Sequence, residues 1–129
     1  MFIEIEADST VPIYLQLAQQ VIEGIAKAEL KPGESLPSVR AFAADLGMNM
    51  HTVNKAYHYL EEKEFIQIVA KKGVFIHERS VRTASEKDTT RLKKELRPII
   101  GEALCLNLST DELQALLNDI VRDIKEGSR

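Results

Sequence analysis

The chain has one cysteine, no tryptophan and no apolar run of membrane-spanning length, and its few basic residues are outnumbered by acidic ones. Each shortage excludes something. A lone Cys105 cannot form an internal disulfide; set between Leu104 and Leu106, it is expected to be a small buried hydrophobe at a helix end. The first residues, MFIEIEADS, lack the basic start and apolar stretch of a secretory signal, so a cytoplasmic protein without a membrane partner is expected. The three histidines, His51, His58 and His77, have no metal-ligand spacing with one another or with Cys105. There is no glycine-rich phosphate loop and no Ser, His and Asp arrangement, so neither an enzyme nor a cofactor is expected. A net charge of −3 supplies no global field for a polyanion. Residues 1–80 hold eight Lys and Arg against eleven Asp and Glu, and residues 81–129 hold nine of each, so any nucleic-acid surface must be local.

What remains is 44% hydrophobic and 29% charged, the composition of an ordinary globular domain. Residues 2–6 alternate apolar and acidic side chains, as a short edge strand would. A first helix is expected to enter at Asp8-Ser9-Thr10 with Pro12 in its first turn and to run to about Ala28. Its apolar face is Tyr14, Leu17, Ala18, Val21, Ile22 and Ile25. Lys31-Pro32-Gly33-Glu34 reads as a turn. A two-turn helix follows, with Ser38 as N-cap, Val39, Phe42, Ala43 and Leu46 inward, and Gly47 in the left-handed position that ends it. Asn49 caps a third helix whose inward face is Val53, Ala56, Tyr57 and Leu60. The connection from Gly47 to Asn49 permits only a sharp turn, which makes the pair a helix-turn-helix. Two β-branched and aromatic runs, Phe65-Ile66-Gln67-Ile68-Val69 and Val74-Phe75-Ile76, then flank Ala70-Lys71-Lys72-Gly73 as a hairpin.

The polar residues 78–90 read as a linker. Beyond it a helix is expected with the stripe Leu92, Leu96, Ile99, Ile100, Ala103 and Leu104, kinked or delayed by Pro98 and ended by Asn107 in the left-handed position. Ser109 and Glu112 form a capping box for a last helix whose stripe is Leu113, Leu116, Leu117, Ile120, Val121 and Ile124. Two such helices cannot make a core alone. Their stripes must pack on the front domain or on a second copy, and the polar linker favours the second copy, with Leu96, Ile100, Leu104, Leu113, Leu116, Leu117, Ile120 and Ile124 in the seam. The expected fold class is α+β and mostly helical: a winged helix-turn-helix over residues 1–77, a linker over 78–90 and a dimerising helical segment over 91–129.

With its inward face committed, the third helix turns His51, Asn54, Lys55 and His58 outward, and none is acidic. Hydrogen-bond donors without a carboxylate suit phosphates and base edges. Ser38 and Arg40 begin the preceding helix, where free backbone N–H groups favour an anion. Asn49 and Thr52 put small polar groups at the end of the third helix that meets base edges in helix-turn-helix docking, and Lys71 and Lys72 tip the hairpin where a wing would sit. Met50 is open between a thymine-methyl contact and a packing role. The competing reading is a winged helix used as a protein-interaction module without DNA binding, which the acidic balance of the front domain favours.

Pro12-Ile13-Tyr14-Leu15-Gln16-Leu17, Leu30-Lys31-Pro32-Gly33-Glu34-Ser35-Leu36-Pro37-Ser38-Val39-Arg40, Ala43-Ala44-Asp45-Leu46-Gly47-Met48-Asn49, Thr52-Val53-Asn54-Lys55-Ala56-Tyr57 and Lys72-Gly73-Val74-Phe75-Ile76 together resemble the DNA-binding domain of GntR-family bacterial transcription regulators. The short two-helix tail resembles that of the YtrA-type branch, which mainly dimerises. The resemblance implies DNA contacts at Ser38, Arg40, Asn49, Met50, His51, Thr52, Asn54 and Lys55 and at the wing residues Lys71, Lys72 and Gly73. It also implies a homodimeric repressor, associated with the nucleoid when bound to a double-stranded, pseudo-palindromic operator. Its targets would be its own operon and a linked ABC-transporter or export system. A small-molecule effector is left open. Departures from the pattern include Met50-His51 where this branch often has Pro-Asn, Val69-Ala70-Lys71 where the wing usually has arginines and a glycine, and Ala28 and Glu64 where glycines are common after the first and third helices.

Overall fold

A computed structural model of the chain describes residues 3–127, in two compact units, the chain dividing between Val81 and Arg82. In the first unit the elements run α1 (Ile13–Ala26), β1 (Ser35–Leu36), α2 (Val39–Leu46), α3 (Met50–Glu62), β2 (Ile66–Val69) and β3 (Gly73–Ile76). In the second they are α4 (Glu86–Cys105) and α5 (Thr110–Glu126).

The core of the first unit is made by the stripes expected from the helical period. Leu17, Ala18, Val21 and Ile25 of α1 and Phe42 and Ala43 of α2 meet Val53, Ala56, Tyr57 and Leu60 of α3, with Ile66, Val74 and Ile76 closing it from the strands. Val53, Ala56, Tyr57 and Leu60 are wholly inaccessible to solvent, which fixes the rotation of α3 about its axis and hence the face it presents outward. Truncating a side chain such as Leu60 to alanine costs about 2–5 kcal/mol at sites of this kind.

Helices α1 to α4 end in one device. In α1, α2, α3 and α4 the chain turns through a left-handed residue, respectively Ala28 (φ 61°), Gly47 (φ 63°), Glu64 (φ 63°) and Asn107 (φ 62°). The next N–H then reaches back over the last turn: Glu29 to Gly24 O at 2.9 Å, Met48 to Ala43 O at 2.9 Å, Phe65 to Leu60 O at 2.9 Å and Leu108 to Ala103 O at 3.1 Å. Of these four residues only that of α2 is a glycine, and there a Cβ would meet nothing within 4 Å, so backbone conformation alone selects it.

Several expectations need correction. Residues 3–6 form no strand, and Phe2 lies outside the described residues. The side-chain amides of Gln16 and Gln20, one turn apart on α1, take the backbone bonds a partner strand would take. Gln20 Oε1 accepts the Glu4 N–H at 2.9 Å and Gln16 Oε1 that of Glu6 at 2.8 Å, while each Nε2 donates to the carbonyl of the same residue. Pro12 is the N-cap of α1 and not its first-turn residue, and α1 ends at Ala26. The expected two-stranded hairpin is a three-stranded antiparallel sheet of order β1-β3-β2, with Leu36 opposite Val74 and Ile68 opposite Val74 on the other side. Residues 78–90 are not all linker: Glu78–Ser80 form a 3-10 turn, and α4 begins at Glu86 behind a capping box of Ser85 and Asp88. Pro98 does not delay this helix; it lies inside it. Cys105 is exposed at the end of α4, not buried. The box of Ser109 and Glu112 on α5 is as expected.

Candidate nucleic-acid interface

α2 and α3 are each capped by a side chain at the end that a helix-turn-helix presents. Ser38 Oγ accepts the Ala41 N–H at 3.1 Å, and Asn49 Oδ1 accepts the His51 N–H at 2.7 Å. The capping oxygens are therefore occupied, while the Ser38 hydroxyl hydrogen and the Asn49 amide hydrogens remain to be donated. Both residues are exposed, as is Arg40 in the first turn of α2. No ion-pair partner for Arg40 is found among the described residues.

The two helices are tied across their junction by a phenol. Tyr57 is fully buried and its O–H donates to the Pro37 carbonyl at 2.7 Å, with its ring against that of Phe42 at 6.1 Å. Burial pushes the phenol well above its ordinary range, so it remains a proton donor at any physiological pH. Pro37 leads directly into Ser38 and Arg40. The bond therefore links the core face of α3 to the segment that places both residues.

On the outer side of α3, His51, Asn54, Lys55 and His58 are all exposed, and Thr52 is half-buried. Met50 is 46% exposed, whereas Met48 packs against the core; of the packing and surface roles left open for Met50, its side chain takes the surface. The Lys55 ammonium sits 4.4 Å from the centroid of the Tyr14 ring, which itself meets Tyr59 edge-on at 6.3 Å. This contact is worth about 0.5–1 kcal/mol at an exposed site and holds a long side chain in one place. Sequence reasoning missed Tyr14 here, because the pair joins α1 to α3 and nothing local signals it.

The wing tip turns at residues 69–72, closed by the Lys72 N–H donating to Val69 O at 3.0 Å. Lys71 adopts φ 66° and Gly73 φ 129°, so a lysine occupies one left-handed position of the tip and the glycine the other. Lys71, Lys72 and Gly73 are exposed. The structure thus brings Ser38, Arg40, Asn49, Met50, His51, Thr52, Asn54, Lys55, His58, Lys71, Lys72 and Gly73 onto one folded unit, on α2, α3 and the hairpin. Among the described residues there is no group of three or more His, Cys, Asp or Glu that could hold a metal ion. No helix there is long and apolar enough to cross a membrane.

Neither α4 nor α5 buries a residue. Leu96, Ile100, Leu104, Leu116, Leu117 and Ile120 are 39–56% exposed, and Leu113 and Ile124 are half-buried.

A capped helix pair, a set of exposed hydrogen-bonding side chains (His51, Asn54, Lys55 and His58) on the outer side of α3 and a lysine-tipped hairpin on a three-stranded sheet define a winged helix-turn-helix protein. The profile of the bacterial regulatory proteins, gntR family, matches residues 13–76. The HTH-type transcriptional repressor YtrA of Bacillus subtilis (strain 168) is 35% identical over 127 residues, which is 98% of this chain and 98% of that protein. Among solved structures, a transcriptional antiterminator from Listeria monocytogenes EGD-e superposes with a TM-score of 0.88 at 34% identity, covering 97% of this chain and 92% of its own. YtrA from Sulfolobus acidocaldarius, a GntR-family transcription factor, is 44% identical with a TM-score of 0.55, covering 94% of this chain and 97% of its own. The chain belongs to the GntR family; it is a DNA-binding transcriptional regulator and not an enzyme.

Proposed function

We propose that the chain is a homodimeric repressor that reads a pseudo-palindromic operator with α3 and grips its flanks with the wing. The observation that carries this reading is the outer face of α3: His51, Asn54, Lys55 and His58 are exposed together with no carboxylate among them, in a chain where acids outnumber bases. Asn54 and His51 have the donor and acceptor groups for base edges. Met50 offers a methyl contact, and Thr52 and His58 complete the face. Ser38, Arg40, Lys55, Lys71 and Lys72 serve phosphates, and Gly73 lets the wing backbone approach closely.

Dimerisation follows from the tail. Monomeric proteins rarely leave contiguous stripes like those of α4 and α5 in water, and a second copy covers them most simply. Two copies then set their recognition helices in successive major grooves, roughly 34 Å apart. Bound at a promoter, such a dimer represses by occlusion. Its targets, by analogy with the branch it resembles, are its own operon and a linked ABC-transporter or export system.

Arg40→Ala tests the interface. It should weaken binding to all sequences by about 1–3 kcal/mol and lower the salt slope by about one phosphate contact. Unchanged affinity in a folded variant would remove Arg40 from the site. Leu117→Asp tests the seam: a charge there should convert the dimer to monomer and lower operator affinity with it. A variant still dimeric by ultracentrifugation would place the interface elsewhere.

A further inference from the structure

Glu61 lies in the last turn of α3 and is at odds with its surroundings in two respects. A carboxylate at a helix C-terminus opposes the helix dipole, and a carboxylate on a DNA-reading helix opposes the phosphates. Its position is explained by what it holds. Glu61 Oε2 accepts the backbone N–H of Ile68 at 2.8 Å. Ile68 belongs to β2, an edge strand whose other side is paired with β3. An edge N–H of this kind otherwise has only water. Moreover, β2 is anchored to the core at its first residue alone: Ile66 is buried, whereas Gln67 and Ile68 are exposed and Val69 is half-buried. The Glu61 bond falls in the unanchored half, two residues before the tip turn of Ala70, Lys71 and Lys72.

We propose that Glu61 is a positioning residue that braces the wing against the recognition helix, so that Lys71 and Lys72 meet the duplex in a fixed relation to Asn54, Lys55 and His58. A charged acceptor makes a stronger bond to the strand N–H than a neutral one, and without it the outer half of β2 is held by its pairing with β3 alone. The inference rests on the DNA-binding reading of α3 and the wing, and it concerns a residue that itself touches no DNA.

The test compares two neutral replacements, Glu61→Gln and Glu61→Ala, which remove the same charge but differ in whether an acceptor remains. Affinities are measured for the fragment most enriched from sheared genomic DNA, and exchange of the Ile68 amide is followed by NMR without DNA. The brace predicts that Glu61→Ala binds about three- to tenfold more weakly than Glu61→Gln. It also predicts that the Ile68 amide exchanges faster in the alanine variant, and that the affinity gap closes when Lys71 and Lys72 are both alanine. Equal affinity of the two variants, equal Ile68 exchange, or a gap that persists without the wing lysines would overturn it. Failure of the underlying DNA reading looks different: Lys71→Ala/Lys72→Ala would then bind like the wild type.

Discussion

Tyr57→Phe removes one oxygen and should be felt at both stability and binding. The ring keeps its place, fully buried against Phe42, so no apolar cavity forms. What is lost is the 2.7 Å bond to the Pro37 carbonyl. A net hydrogen bond contributes about 0.5–1.5 kcal/mol, and an acceptor left without a donor adds to the cost. Pro37 is only half-buried, which lets water recover part of that second cost. The expected loss is therefore about 1–2 kcal/mol. For a unit of this size that lowers the thermal midpoint by roughly 4–16 °C, and the urea midpoint should fall with an unchanged slope. Because Pro37 leads into Ser38 and Arg40, DNA affinity should drop more than the stability loss alone would cause at a temperature where the variant is still folded. A stability change below about 0.3 kcal/mol would show that water replaces the phenol at no cost, and would remove Tyr57 as the tie between the two helices.

Two further outcomes concern the caps. Ala28 has φ 61° with no glycine to ease it, so Ala28→Gly should stabilise the chain by about 0.5–1 kcal/mol by denaturant titration, and a destabilised variant would refute the strain argument. In the tail, the Arg82 guanidinium and the N-cap Ser85 hold the Asp88 carboxyl far below its ordinary value, and Ser109 lowers that of Glu112. Both carboxylates are depressed on folding. Their contribution is thus full above their unfolded values, about pH 4, and is lost as the pH falls toward the folded ones. Asp88→Asn should accordingly destabilise α4 at pH 7, by circular dichroism, and the difference from wild type should shrink in acid; a constant difference would contradict the capping role.

Much of this was legible because it is local. Ser38, Gly47, Asn49 and the Ser109–Glu112 box are short-range signals with one structural solution each, and the stripes of α1 to α3 rotate the donor face outward without ambiguity. The exceptions have physical causes. β1 is two residues long, too short for any alternation to register, and is strand only because β3 lies beside it. Residues 3–6 alternate like a strand, yet their partners are two glutamine side chains on a helix. The first turns of α4 look like linker in the sequence because residues 86–91 contain no apolar side chain, although Ser85 and Asp88 carry the capping signal. In the candidate interface, the residues that point outward could be named from the helical period. Tyr14 beneath Lys55 and Glu61 beneath Ile68 could not, since each joins elements whose approach only the folded chain defines.

The central claim is that the donor face of α3 and the wing bind a specific duplex as a two-fold pair. Selecting bound fragments from the organism's own sheared genomic DNA, then measuring affinity for the enriched fragment at two salt concentrations, tests it most directly. The account predicts an inverted repeat upstream of the protein's own gene, bound with an affinity that falls steeply as salt rises. Fragments no richer in any sequence than the input, or binding indifferent to salt, would contradict it.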